Sequence, residues 1–152
     1  MDCSEVERFI EKTHAEILYG GNEAFYETDG DYIQVPEQRM FIDTENGSAT
    51  EHYYATLLHE LTHWTGHAER CNRNLKNRFG DQAYAFEELI AELGAAFLCA
   101  DLQVRNCYLN EWQDATAYIA SCLKVLKFDS KAIFDACVKA AEAVAYLHNL
   151  QI

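Results

Sequence analysis

Proline is nearly absent from this chain: Pro36 is the only one in 152 residues, and seven glycines accompany it. So little of either leaves no room for a Pro- or Gly-rich linker or a low-complexity segment. Basic residues are scarce too, 12 against 25 acidic ones, for a formal net charge of −13. A general nucleic-acid binder needs a basic face to displace phosphate counterions, and this composition has little to build one from. An acidic, solvated surface is the simplest reading; a basic partner, or imitation of a polyanion, also fits. No apolar run approaches the ~18 residues of a membrane span. The six cysteines (Cys3, Cys71, Cys99, Cys107, Cys122 and Cys137) form no CxxC pair and fall mostly in apolar helical stretches, where free Cys acts as a small hydrophobe. The first residues, MDCSEVERF, lack the apolar core of a signal peptide. A reduced, cytoplasmic protein is expected.

What is present suits one globular domain. Hydrophobic residues make up 49% and aromatics 12%, and a chain of this size buries roughly 70% of its unfolded surface. Disorder is excluded. Ser4 with Glu7 predicts a capping box opening a helix over residues 4–19, ended by Gly20-Gly21. The β-leaning segments AFYET, DYIQVP and MFID fall in residues 24–47 and predict two or three short, hairpin-linked strands, with Pro36 ending one of them or holding it at an edge. Ser48 with Glu51 opens a second helix over about 49–67, with Gly66 as its stop. Residues 68–82 are polar and irregular. Further amphipathic helices are expected over about 83–103, 110–126 and 130–149. The fold class is therefore α+β, predominantly α: a small β-sheet, then a sequence of helices.

The second helix contains His59-Glu60-Leu61-Thr62-His63, an HExxH pattern. Residues four apart share one helix face, so both imidazoles can point at one Zn²⁺. Glu60 sits one residue round, where its carboxylate can take a proton from water without ligating. The plain alternative is two histidines on an amphipathic helix. A third ligand is needed, and the metzincin extension does not supply it. Gly66 fits that pattern, but its final position is Glu69 rather than His, and with only Met1 and Met40 in the chain no downstream Met-turn exists.

The next helix carries Glu87-Glu88-Leu89-Ile90-Ala91-Glu92. Glu88 and Glu92 share a face in an Ala- and Leu-rich stretch, where buried unpaired carboxylates are costly and a metal with its histidines relieves that cost. Glu88 is the expected third ligand, with Glu92 holding the free N–H of a ligand histidine. Glu92 as ligand, or Glu87, Glu88 and Glu92 as a solvated stripe, are the competing readings. His67 continues the His59–His63 face as a substrate or oxyanion contact, against the simpler reading of a histidine favoured at a helix C-terminus. Trp64, Tyr53 and Tyr54 read as core, and Arg70 and Arg73 as local ion-pair partners. A strand over Tyr32–Val35, if it lies at a sheet edge, can take an extended peptide by β-addition.

HExxH followed by ExxAE resembles the gluzincin pattern. The longer run YATLLHELTHWTGH, with Arg70, Arg73 and YAFEELIAELG, resembles the zincin-like metallopeptidase domain of ArdC-type antirestriction proteins and of phage and mobile-element polyvalent proteins. DYIQVP, Phe41, Trp112 and Tyr118 extend the likeness over about residues 22–148. The resemblance implies a zinc-peptidase fold in which the sheet precedes the HExxH helix, the Glu-bearing helix and a C-terminal helical pair. It implies ligands at His59, His63 and an acid of the Glu88 helix, Glu60 as general base, and a mobile-element context. The N-terminal single-strand-DNA-binding domain of such proteins has no counterpart here, so a single domain over 1–152 without direct nucleic-acid contact is expected.

Three functions are thus in view. The first is a zinc-dependent peptidase acting on a peptide or protein, with no membrane partner. The second is a non-catalytic acidic antirestriction or interaction protein on a zincin scaffold, and the third a purely structural metal site. Two imidazoles and a carboxylate also accept Mn, Fe or Co.

Overall fold

The computed structural model describes residues 2–73, 75, 82–104, 124 and 130–152. Helix α1 spans Ser4–Thr13, β1 Ile17–Tyr19, β2 Phe25–Glu27 and β3 Tyr32–Val35; α2 follows at Ala49–Trp64, α3 at Gln82–Asp101 and α4 at Ser130–Asn149. The described residues are predominantly helical with one three-stranded sheet. No helix among the described residues is long and apolar enough to cross a membrane.

The first helix is shorter than its apolar period predicts. His14 adopts the left-handed conformation (φ 56°) and donates its N–H to the Glu11 carbonyl, closing α1. Ile17 and Leu18 then continue as β1, because pairing with β3 offers their backbone groups partners across the sheet. The capping box at Ser4 is also absent. Cys3 is the N-cap, the Ser4 N–H bonds Asp2 Oδ1 at 2.9 Å, and the Glu7 carboxylate is drawn instead to the Tyr54 hydroxyl. Tertiary partners outcompete a local cap in both places.

The sheet order is β1-β3-β2, with β1 parallel and β2 antiparallel to β3. Tyr32–Val35 is thus the central strand rather than an edge, and its Ile33 and Val35 are fully buried. The edge is β2. The MFID segment forms no strand: Gln38–Met40 is a single 3-10 turn, and Ile42 is exposed. Pro36 does end its strand.

At α2 the capping box is complete, with Ser48 Oγ accepting from the Glu51 N–H and Glu51 accepting from the Ser48 N–H, both at 3.1 Å. The helix stops at Trp64, short of residue 67, as Thr65 turns its hydroxyl back onto the Thr62 carbonyl at 2.6 Å. Its buried stripe of Tyr53, Tyr54, Leu57, Leu58 and Leu61 packs with Val6, Phe9 and Ile10 of α1, Ile33 and Val35 of β3, Leu98 of α3 and Leu147 of α4. A second cluster joins Ala85, Leu89 and Ile90 of α3 to Ala136 and Ala140 of α4. The α2–α3 crossing is close because Gly94 faces Thr62; a Cβ at Gly94 would lie 2.6 Å from Thr62 Cγ2. Of the expected C-terminal pair, α4 is observed, whereas 110–126, with Trp112 and Tyr118, lies outside the described residues apart from helical Lys124.

Candidate metal centre

Close α2–α3 packing brings His59 and His63 of α2 against Glu87, Glu88 and Glu92 of α3. Glu88 lies between the two imidazoles: Oε2 is 3.5 Å from His59 Nε2 and Oε1 is 3.1 Å from His63 Nε2. Each residue offers one ligand atom such that all three lie within 4.8 Å of one another. Donors bound tetrahedrally at ~2.0–2.1 Å stand ~3.3 Å apart, so this set fits a divalent ion.

The outer nitrogens are held as well. His59 Nδ1 lies 3.2 Å from Glu92 Oε1, and His63 Nδ1 lies 2.8 Å from Glu87 Oε2. An imidazole whose Nδ1–H is fixed by a carboxylate keeps its Nε2 lone pair aimed at a metal. Glu87 is held in turn by Arg73, whose Nε donates to Oε1 at 2.8 Å and whose Nη2 donates to Oε2 at 3.2 Å. The rest of the guanidinium donates to Thr65 Oγ1 at 2.9 Å and the Thr62 carbonyl at 2.7 Å.

The spacing of the sequence marks Glu92 as a histidine-orienting group, but it offers Glu87 only as part of a solvated stripe. Glu87 is 6% exposed. The available signal was the Glu87-Glu88 doublet on two different sides of one helix, with an arginine fourteen residues upstream to neutralise the first. Arg73 does have a local ion-pair partner.

Electrostatics follow from burial. Burial alone would lower the His59 imidazole, but its bonds to Glu88 and Glu92 prevail and push it up to about 9. His63 is likewise raised well above its usual value, its bonds to Glu87 and Glu88 overcoming desolvation. The same contacts hold Glu88 and Glu87 below the carboxylate range despite burial, with Arg73 adding to the effect on Glu87. Glu60 behaves oppositely: buried without such a bond, its carboxyl is pushed up. A divalent cation would take the place of the Nε2 protons that Glu88 draws onto the imidazoles.

Glu60, His59, His63 and Glu88 line a cleft of about 360 Å³ whose other wall is Ala24, Phe25 and Tyr26 of the β2 edge. His67 stands apart from the cluster. It lines a neighbouring cavity, and its Nδ1 accepts the Glu69 N–H at 3.1 Å. Trp64, Tyr53 and Tyr54 are buried. The Arg70 guanidinium stacks 3.8 Å over the Trp64 ring and pairs with Asp31, whose carboxylate also accepts from the Tyr26 hydroxyl at 2.6 Å.

A family described as zincin-like metallopeptidase matches residues 4–139. The chain is 40% identical over 145 residues to the uncharacterized protein y4eC of Sinorhizobium fredii, covering 95% of this chain and 44% of that protein. It is 37% identical over 135 residues to the DNA primase TraC of Escherichia coli, covering 89% of this chain and 8% of TraC. Two crystal structures of the antirestriction ArdC protein from the R388 plasmid align over 99% of this chain. The Mn(II)-bound form has a TM-score of 0.79 at 36% identity over 53% of its own length. The metal-free form has 0.76 at 37% over 52%. The chain thus spans less than half of these curated relatives and about half of ArdC.

Proposed function

The chain belongs to the zincin-like metallopeptidase family, and from that premise we propose that it is a zinc-dependent peptidase module working in an antirestriction or mobile-element setting. The observation that carries this reading is the convergence of His59 Nε2, His63 Nε2 and Glu88 in a cleft that Glu60 also lines. A structural metal site has no use for a fourth, non-ligating carboxylate there.

His59, His63 and Glu88 hold the ion, with Glu92 and Glu87 fixing the two imidazoles. When bound, the ion supplies a Lewis acid that acidifies water and polarises a carbonyl. Glu60, which lines the same cleft, takes the proton from the attacking water and delivers it to the departing amine. Substrate is a peptide or protein segment, laid in extended form along β2, an edge strand among the described residues beside the cleft. The antirestriction setting is extended from the R388 protein. Zinc is chosen for the donor set of two imidazoles and one carboxylate with an open position.

Supplied with zinc, the wild-type chain is expected to cleave an unstructured protein, while Glu60→Gln keeps its metal and loses turnover by about a hundredfold or more. Undiminished hydrolysis by metal-loaded Glu60→Gln would overturn the mechanism. The acidic interaction reading draws on the charge of −13. It expects binding to a DNA-handling enzyme that survives Glu60→Gln and collapses with salt.

A further inference from the structure

Beside the catalytic cleft lies a second cavity of about 410 Å³, lined by Tyr26, Thr28 and Asp29 of the β2–β3 hairpin and by Gly66, His67 and Asn72 past the end of α2. Tyr26, Thr28 and Leu75 line both spaces, so a chain lying along β2 in one reaches the other.

The shared wall is braced. The Tyr26 hydroxyl donates to Asp31 and receives Arg70 Nη2 at 3.2 Å, which ties the hairpin to the segment after α2. On the opposite rim, Asn72 sits in the left-handed region (φ 53°), its N–H bonded to the His67 carbonyl at 3.0 Å. These two walls are therefore held before any ligand arrives, which reduces the ordering cost of binding.

Among the described residues the cavity's charge is one-sided. Arg73 carries the one guanidinium among the described residues that line it, and all its nitrogens are engaged with Glu87, Thr65 and the Thr62 carbonyl. Arg70, behind Tyr26, is committed to Asp31, Tyr26 and the Trp64 carbonyl. Among the described residues an anionic ligand thus finds no uncommitted guanidinium. The Asp29 carboxylate, by contrast, accepts no hydrogen bond from a described residue; only its backbone N–H is used, towards Glu27 at 3.3 Å. His67 accepts the Glu69 N–H at Nδ1, so a neutral ring carries its proton on Nε2 and has a donor left for a peptide carbonyl.

We propose that this cavity is a specificity pocket for a basic side chain, lysine or arginine, of the peptide whose scissile bond lies in the neighbouring cleft, with Asp29 as the group that selects it. The inference rests on the peptidase reading for the position of the scissile bond, but not for binding itself.

The test uses two sets of labelled peptides, identical except that a single Lys or a single Glu is walked through an Ala-Gly backbone. Binding is read by fluorescence anisotropy on zinc-supplied Glu60→Gln protein, and cleavage on the wild type, at physiological salt to screen the general acidic field. Glu11→Gln, on the exposed side of α1, removes the same unit charge away from the cleft. The best Lys peptide should bind about tenfold more tightly than its Glu counterpart, a preference lost in Asp29→Asn, reversed in Asp29→Lys and kept in Glu11→Gln. Equal binding of the two sets, no binding of either, or equal loss of preference in Asp29→Asn and Glu11→Gln would overturn the pocket. Cleavage with no preference for Lys overturns the pocket and leaves the peptidase reading standing. Lys-selective, Asp29-dependent binding without cleavage does the reverse.

Discussion

Glu87 Oε2 lies 2.8 Å from His63 Nδ1, on the opposite side of the imidazole from Glu88. One ring is thus gripped by two adjacent residues of one helix, one at each nitrogen. That is possible because His63 points into α3 where consecutive residues diverge by about 100°. Glu88 and Glu92, four apart, serve His59 in the same manner.

Glu88→Ala should abolish stoichiometric metal binding, whereas Glu92→Ala should weaken it about 10–100-fold, the usual effect of losing a group that orients a ligand. Metal content after purification without added metal, followed by chelator competition, separates the two. Equal loss in both variants would argue that Glu92 itself ligates.

Glu87→Gln should likewise weaken metal binding about 10–100-fold. Arg73→Gln should do so through Glu87, so the double variant should bind metal no worse than Glu87→Gln alone. Chelator competition reads all three affinities, and fully additive losses would show that Arg73 does not act through Glu87.

Gly94→Ala puts a methyl group 2.6 Å from Thr62 Cγ2 and 3.0 Å from its hydroxyl. Pushing α3 from α2 should cost about 1–3 kcal/mol and lower metal affinity as well. Thr62→Ser removes the clashing methyl and should restore part of both. Urea midpoints measure the first effect and chelator competition the second.

Asp31 gives stability a pH dependence. Burial tends to raise its carboxyl, but Arg70 and Tyr26 prevail and hold it below the usual value of 3.8. A carboxylate depressed in the folded state contributes stability that is fully present above its unfolded pKa and is lost as pH falls through the folded one. The destabilisation caused by Asp31→Asn should therefore be constant between about pH 5 and 7 and shrink below about pH 4. A gap in urea midpoint that widens on acidification would refute this.

Much of the site was legible before any fold. The four-residue step of His59 and His63 survives any packing because it belongs to the helix itself, and the Ser48–Glu51 box that starts this helix is equally local. Glu88 and Glu92 stood out because charge in an apolar stripe needs a reason. Local signals failed where a distant partner offered more. Residues 14–19 left the helical period for a parallel neighbour sixteen residues on, and Glu7 left its cap for Tyr54. The strand at Tyr32–Val35 was recognisable from its residues, but not its central place, because sheet order depends on which segments return beside it.

The acidic character of the chain, the HExxH helix with its cap, and the stock of carboxylates on the following helix are properties of the residue order alone. Which carboxylate meets which nitrogen is set by how the helices pack. That depends on the depth at which α3 crosses α2, set where Gly94 meets Thr62, and on Arg73 folding back to neutralise Glu87. Such contacts join residues 14 to 32 positions apart, beyond the reach of any helical or strand period, and are fixed by close packing and by the cost of leaving a buried charge unpaired.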